Sequence, residues 1–145
     1  MQSLTVPGTL VSLSEIGHFV NAASALAGLD KKVAYRLRLA VDEIASNIVI
    51  HGYEEAGLSG EIRVISEMDQ NTLTITLDDT SGPFDPRKFA HPDHINRPIE
   101  ERPIGGLGVF LSKNNVDRFD YEYVNKHNRN IFVANRPKDA TATGE

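Results

Sequence analysis

The 145-residue chain contains no cysteine, so disulfides, thiolate metal sites and cysteine nucleophiles are excluded. It also lacks any run of about eighteen consecutive apolar residues, the length that a membrane-spanning helix needs. The opening stretch, MQSLTVPGTL, has neither the basic start nor the apolar centre of a secretory signal. From these absences we expect a protein that does not span a membrane and that stays in the cytoplasm.

The chain has little positive charge, with 15 Lys and Arg residues against 20 Asp and Glu residues and a net charge of -5. Proteins that bind a nucleic-acid backbone need clustered Lys and Arg, so we expect no direct contact with nucleic acid. A small anionic nucleotide is compatible with this charge, because backbone amides at a helix start bind phosphate without a charged side chain. The length suits one domain, which we predict over residues 1–136, followed by a disordered tail at 137–145.

Hydrophobic periodicity predicts five strands and three helices. The strands are predicted at residues 3–6, 60–68, 72–79, 117–124 and 130–134, and the helices at 12–27, 31–51 and 109–115. Asp30 is the predicted N-cap of the second helix and Gly52 its predicted end. Because short turns join most neighbouring strands, we predict a mixed or largely antiparallel sheet with the helices on one face, a two-layer α/β sandwich. Residues 80–104 hold five of the seven prolines and show no period, which predicts a long loop that is either functional or mobile.

The second helix contains the segment DEIASNIVIHG at 42–52. Glu43, Asn47 and His51 follow one another at intervals of four residues beside an apolar stripe, so they form a polar row at the rim of the buried face. At such a rim a carboxylate is suited to act as a base and an amide oxygen to bind magnesium. The same residues also occur on ordinary solvated helix faces, and the helix dipole favours a histidine in the last turn.

Two further segments contain residues suited to a nucleotide. In DDTSGPFDP at 78–86, the Asp79 carboxylate at a strand end can accept a hydrogen bond from an exocyclic amine, while Gly82 leaves room for a flat ring. In IGGLGVFL at 104–111, glycines precede a helical run and expose backbone N–H groups to phosphate. The first segment is also typical of an ordinary turn, and the second is neither a P-loop nor a GxGxxG fingerprint. The two histidines of HPDH at 91–94 are too few to predict a metal site.

Taken together, the three segments resemble the GHKL superfamily of histidine-kinase-like ATPases, and most closely the anti-sigma factor serine/threonine kinases. AVDEIASNIVIHGYE at 40–54 is similar to the N box of that family, DDTSGPFDP at 78–86 to its G1 box and RPIGGLGVFL at 102–111 to its G2 box. The resemblance covers roughly residues 10–135. It implies the GHKL or Bergerat-type ATP-binding fold, a mixed sheet backed by helices, with ATP and Mg²⁺ as cofactors.

The resemblance also implies roles for individual residues. Glu43 is implied to be the general base on the acceptor hydroxyl, Asn47 the magnesium ligand and Asp79 the partner of the adenine amine. Gly82 is implied to lie in the adenine-side turn, and residues from about 86 to 104 to form an ATP lid. The implied contacts to the phosphates come from Arg102, Gly105, Gly106, Leu107 and Gly108.

Two positions depart from the family pattern. Ser81 stands where the family has the glycine of Asp-x-Gly, and a serine there is expected to crowd the adenine or to change the turn. The last strand lacks the Gly-Thr pair that supports the adenine contact, and Asn130 stands near that position. Because Asp78 immediately precedes Asp79, the alignment with the family's adenine-binding aspartate is ambiguous by one residue. We choose Asp79 from its distance along the sequence to PFDP.

The function implied by the resemblance is transfer of the ATP γ-phosphate to a serine or threonine of a small anti-anti-sigma protein. In that family this transfer alternates with sequestration of a sigma factor, and a homodimer is expected. An alternative is a nucleotide-gated protein-binding module of the same fold without kinase activity.

Overall fold

The computed structural model of the chain describes residues 1–89 and 116–138. Its five strands are β1 (Gln2–Pro7), β2 (Glu61–Met68), β3 (Thr72–Asp79), β4 (Arg118–Val124) and β5 (His127–Asn135). Its two long helices are α1 (Leu13–Leu26) and α2 (Lys31–Asn47), and short 3₁₀ helices cover Leu10–Ser12 and Pro86–Phe89. These strands and long helices fall where periodicity predicts them, within a few residues at most boundaries. The helix predicted at 109–115 lies outside the described residues.

The strands form one sheet in the order β1-β2-β3-β5-β4, and each described pairing of neighbours is antiparallel. Both long helices contribute to a core on one face of this sheet. The predicted stripe of α2 is buried there, together with the alternate residues of β3: Leu37, Val41, Ile44 and Ile48 from the helix, and Leu73, Ile75 and Leu77 from the strand. The predicted two-layer α/β sandwich with a largely antiparallel sheet is confirmed.

Local signals set the two ends of the connection between the helices. Gly28 follows α1 with φ of 75°, a left-handed conformation that glycine adopts without strain. The Asp30 side chain then accepts a hydrogen bond of 2.9 Å from the N–H of Val33. The predicted N-cap of α2 is therefore confirmed, and it satisfies one of the free donors at the helix start.

The end of the second helix differs from the prediction. Gly52 does not stop the helix, because α2 continues without a break into a π-helical segment at Ile48–Glu54. Tyr53 in this segment is 2% exposed, and its hydroxyl donates a 2.8 Å hydrogen bond to the carbonyl of Glu61 at the start of β2. This tertiary anchor explains why the chain stays helical past a residue of low helix propensity.

Within residues 1–89 and 116–138, none of the helices combines the length and the apolar character needed to cross a membrane.

Candidate functional site

A cavity with both polar and apolar side chains in its walls lies between α2, the π-helical segment, the end of β3 and the start of β5, and its empty space of about 290 Å³ includes volume that is open to solvent. We call it the polar cavity. Its lining residues are Ile44, Asn47, Ile48, Gly52, Asp79, Ser81, Phe84, Pro86, Asn128 and Asn130. The structure therefore brings Asn47 and Asp79 together, although 32 positions of sequence separate a helix residue from a strand end.

The two oxygens of the Asp79 carboxylate have different surroundings. Oδ1 accepts three hydrogen bonds, from the Ser81 N–H at 3.0 Å, the Ser81 hydroxyl at 2.5 Å and the Asn128 amide at 3.1 Å. Oδ2 is buried and has no partner among the described residues. Because the side chain is only 1% exposed, Oδ2 is an acceptor that water does not readily satisfy. Asp79 thus offers one free, buried acceptor to the polar cavity.

Burial also sets the protonation behaviour of Asp79. Desolvation raises its pKa above the ordinary value of 3.8, and the charge of Asp78 acts in the same direction. The hydrogen bonds from Ser81 and Asn128 stabilise the ionised form and lower the pKa in part. The net shift is upward, because desolvation outweighs the hydrogen bonds.

Asn128 closes the turn that follows Asp79. Its Nδ2 donates to the carbonyls of Ser81 and Gly82, each at 3.0 Å. Its Oδ1 accepts from the Phe84 N–H at 3.1 Å and from the Tyr121 hydroxyl. One buried amide therefore bonds to both sides of the turn and to β4, and it holds the acidic segment 78–86 against the sheet.

Sequence reasoning missed Asn128 and pointed to Asn130 instead. Asn128 lies directly opposite Asp79 in the antiparallel pairing of β3 and β5. That register follows from a two-residue hairpin at Asn125 and Lys126, whose φ values of 53° and 66° are those of a tight turn between twisted strands. Asn130 also lines the polar cavity, and its buried Oδ1 has no partner in the described part of the chain.

Ser81, which departs from the family pattern, lies in the wall of the polar cavity. The side chain is 3% exposed, and its hydroxyl is turned onto Asp79 Oδ1. A Cβ added at Gly52 would lie 2.7 Å from this hydroxyl oxygen, so the π-helical segment approaches Ser81 with bare backbone. At Gly82, in contrast, an added Cβ would meet no described atom within 4 Å. Gly82 thus borders open space, and Ser81 belongs to the hydrogen-bonded wall of the cavity.

Asn47 lies on the helix side of the polar cavity and is 8% exposed. Its Nδ2 has no hydrogen-bond partner among residues 1–89 and 116–138. A half-turn of the amide group exchanges its two ends and places Oδ1 where Nδ2 lies. A buried oxygen at that point is suited to act as a ligand of magnesium. Groups of three or more acidic or histidine side chains that could hold a metal ion do not occur in the described residues. Magnesium needs few protein ligands when it binds together with phosphate oxygens and water.

The predicted polar row on α2 does not open into a single cavity. Glu43, one turn before Asn47, is half-buried and lines a separate surface depression, which we call the Glu43 groove. This groove is formed by Leu13, Ser14, Arg38, Asp42, Glu43 and Ser46. His51, one turn after Asn47, instead shares a 2.7 Å hydrogen bond with the exposed Glu55 carboxylate. Asn47 and Asp79 thus line the same cavity, whereas Glu43, one turn earlier on α2, lines the Glu43 groove.

Arg102, Gly105, Gly106, Leu107 and Gly108 lie outside the described residues, as does the HPDH sequence. The predicted lid begins in the described 3₁₀ helix Pro86–Phe89, and the rest of it lies outside as well. The roles of these residues therefore stay predictions.

Part of the sequence is similar to known proteins. The chain is 33% identical over 84 residues to proteins named Serine-protein kinase RsbW from Bacillus cereus strain AH820 and from Bacillus anthracis. It is 32% identical over 84 residues to the protein of that name from Bacillus thuringiensis strain Al Hakam. The matches cover 56% of this chain and 51% of each relative, so the chain spans about half the length of the curated relatives it matches. The family model described as "Histidine kinase-like ATPase domain" matches residues 6–133, and the chain belongs to this family.

Proposed function

We propose that the chain binds ATP with Mg²⁺ in the polar cavity and acts as an anti-sigma factor serine/threonine kinase. The observation that carries this proposal is the buried Oδ2 of Asp79, which has no partner among the described residues and belongs to a side chain that lines the same cavity as Asn47. Membership of an ATPase domain family supports nucleotide binding, and relatives named serine-protein kinases support phosphate transfer.

In this proposal the polar cavity recognises the adenine base. The exocyclic amine donates a hydrogen bond to Asp79 Oδ2, an interaction with a charged acceptor that is worth about 1.5–3 kcal/mol. Ile44, Ile48 and Phe84 provide apolar wall surface for a flat ring. Asn47 holds the magnesium ion, which neutralises charge on the phosphates. Arg102 and the 105–108 loop contact the phosphates, and residues 86–104 form the lid.

Glu43 is the proposed general base. It removes the proton from a serine or threonine hydroxyl while the hydroxyl oxygen bonds to the γ-phosphorus. The bond from that phosphorus to its bridging oxygen breaks at the same time, and ADP leaves with the electron pair. The Glu43 groove is open at the surface, which suits an acceptor residue carried by another protein.

The proposed acceptor is a small anti-anti-sigma protein, and phosphate transfer alternates with binding of a sigma factor in a partner switch. These partners and a homodimeric state follow from the resemblance to anti-sigma factor kinases. Regulation of transcription would then act through the sigma factor, without direct contact between this chain and nucleic acid.

Calorimetry with Mg-ATP tests the nucleotide site. The unaltered protein is expected to bind, and Asp79→Asn to weaken binding about 10- to 100-fold, because it replaces the charged acceptor. Asp78→Asn is the matched control, since Asp78 instead pairs with His127 at 2.5 Å. If Asp78→Asn weakens binding and Asp79→Asn does not, our choice of register is wrong. No heat of binding in the unaltered protein would overturn the proposal.

A phosphate-transfer assay tests the kinase activity separately. The protein is incubated with γ-labelled ATP and an anti-anti-sigma protein from the same genome, and labelled phosphoserine or phosphothreonine is the expected product. ATP binding without any labelled protein would favour the nucleotide-gated module over the kinase. For magnesium, Asn47→Ala is expected to weaken the binding of Mg-ATP but not of ATP measured in a chelator.

A further inference from the structure

We infer that Ser81 and Asn128 are positioning residues that fix the orientation of the Asp79 carboxylate, so that one oxygen faces the nucleobase, and that they thereby set a preference for purines with a 6-amino group. This inference rests on the proposed nucleotide function and adds two residues to it. Its basis is the asymmetry of the Asp79 carboxylate, which has three donors on Oδ1 and none of the described groups on Oδ2.

The first step concerns the orientation of the carboxylate. The last torsion of an aspartate side chain is soft, so the plane of an unrestrained carboxylate turns readily. The Ser81 hydroxyl approaches Oδ1 from the turn after β3 at 2.5 Å, and the Asn128 amide approaches it from β5 at 3.1 Å. Because both donors are themselves at most 3% exposed, they hold Oδ1 in a fixed place. Oδ2 is then the oxygen left for a ligand.

The second step concerns Ser81 itself, whose hydroxyl needs space on the helix side. A Cβ at Gly52 would lie 2.7 Å from Ser81 Oγ and 3.0 Å from Ser81 Cβ. Since Oγ is the end of a side chain that can rotate, alanine at position 52 is accommodated most easily when the hydroxyl turns away from Asp79. Gly52 is therefore needed for the Ser81 orientation that holds the carboxylate.

The third step links orientation to selectivity. A fixed acceptor in a buried cavity recognises a ligand that carries a donor at that point, and it is left unsatisfied by a ligand without one. ATP carries a 6-amino donor, whereas purine riboside triphosphate has hydrogen at this position. If the carboxylate is free to turn, the acceptor is no longer fixed opposite the amine, so the preference for ATP over purine riboside triphosphate falls. Phosphate binding is the same for both nucleotides.

The experiment is titration of the full chain with Mg-ATP and with the magnesium complex of purine riboside triphosphate. The unaltered protein is expected to prefer ATP about 10- to 100-fold, the range for a hydrogen bond to a charged group. Ser81→Ala is expected to reduce this ratio about fivefold, because one of three hydrogen bonds to Oδ1 is lost. The change is expected in the ATP affinity, with the affinity for the other nucleotide unchanged.

Gly52→Ala supplies a second variant that retains Ser81. It is expected to lower the same ratio, and the double variant Gly52→Ala/Ser81→Gly is expected to be no worse than Ser81→Gly alone, since the clash is gone. Ser24→Ala is the matched control, because Ser24 is a buried serine in α1, 1% exposed and away from the polar cavity. It is expected to leave both affinities unchanged.

The outcomes separate the inference from the function on which it rests. Failure of the unaltered protein to bind ATP would overturn both. If that protein prefers ATP and Ser81→Ala keeps the full preference, the positioning roles are wrong and the nucleotide site stands. Equal losses of both affinities in Ser81→Ala, or additive losses in the double variant, would show a purely structural role and would likewise overturn the inference.

Discussion

The polar cavity and the Glu43 groove both lie along the second helix, yet they are built in different ways. Around Asp79 the side chains are buried, and hydrogen bonds of 2.5–3.1 Å connect them. In the Glu43 groove the described ion pair joins Arg38 and Asp42 at 3.6 Å, with side chains that are 40% and 36% exposed. A rigid, buried site suits a small flat ligand, whereas an open groove suits a protein that brings its own contacts. The difference supports separate sites for base recognition and for the acceptor hydroxyl.

The strongest test of this division is Glu43→Ala. We expect phosphate transfer to the anti-anti-sigma protein to slow by about 10²- to 10⁴-fold, because the general base is lost. The affinity for Mg-ATP should stay the same, since Glu43 does not line the polar cavity. Single-turnover transfer of labelled phosphate measures the first quantity and calorimetry the second.

Asp42→Ala is the control for that test, because it removes a neighbouring carboxylate from the same groove. It is expected to leave the transfer rate near that of the unaltered protein. A large loss of transfer rate with Asp42→Ala and little change with Glu43→Ala would mean that Asp42 is the general base instead. A large loss of ATP affinity with Glu43→Ala would contradict the separation of the two sites.

Tyr53→Phe tests the rigidity of the buried region around the polar cavity. The Tyr53 hydroxyl donates to the Glu61 carbonyl at 2.8 Å and accepts from the Thr80 N–H at 3.0 Å. Removing it leaves a donor and an acceptor of the backbone without this partner, so the free energy of unfolding should fall by about 1–3 kcal/mol. Urea unfolding measures the change.

Tyr35→Phe is the matched control, since Tyr35 is 65% exposed on α2. Its unfolding midpoint should match that of the unaltered protein. The Tyr53 ring fits between Gly8 and Gly60, where an added Cβ would lie 2.5 Å and 2.8 Å from ring atoms, and phenylalanine keeps that packing. If Tyr53→Phe is as stable as the control, the Tyr53 hydroxyl does not anchor the backbone at Glu61 and Thr80.

The same contrast explains which features the sequence predicts. The N-cap at Asp30 and the apolar stripe of α2 depend on residues three to four positions apart, so local patterns are enough to predict them. Asn47 could be placed at the rim of the buried face for the same reason. These predictions are confirmed by the cap hydrogen bond and by the burial of the stripe.

Other features depend on contacts between distant parts of the chain. Asn128 meets Asp79 across 49 positions, through a register set by a hairpin whose Asn125 and Lys126 are not the usual Asn-Gly pair. Gly52 was expected to end the helix, but packing of Tyr53 against the sheet outweighs the local preference of glycine. Sequence patterns alone give neither contact.

The smallest expected effect concerns the pH dependence of stability. Burial raises the pKa of Asp79 above 3.8, so the folded protein binds this proton more tightly than the unfolded chain. The resulting stabilisation is complete below about pH 3.8 and is lost as the pH rises through the folded pKa. Relative to Asp79→Asn, the unaltered protein should therefore lose stability gradually as the pH rises above about 3.8 and through the folded pKa.

Burial also raises the pKa of Asp42, but Arg38 opposes this shift, and more of the Asp42 side chain is exposed. The sign of the pH effect is thus the same at both sites, and solvent screening should make it weaker at Asp42. Urea midpoints at several pH values for Asp79→Asn and Asp42→Asn measure the two effects side by side. A stronger dependence at Asp42 would mean that the carboxylate of the groove is the more desolvated one, and that the polar cavity is not the drier of the two sites.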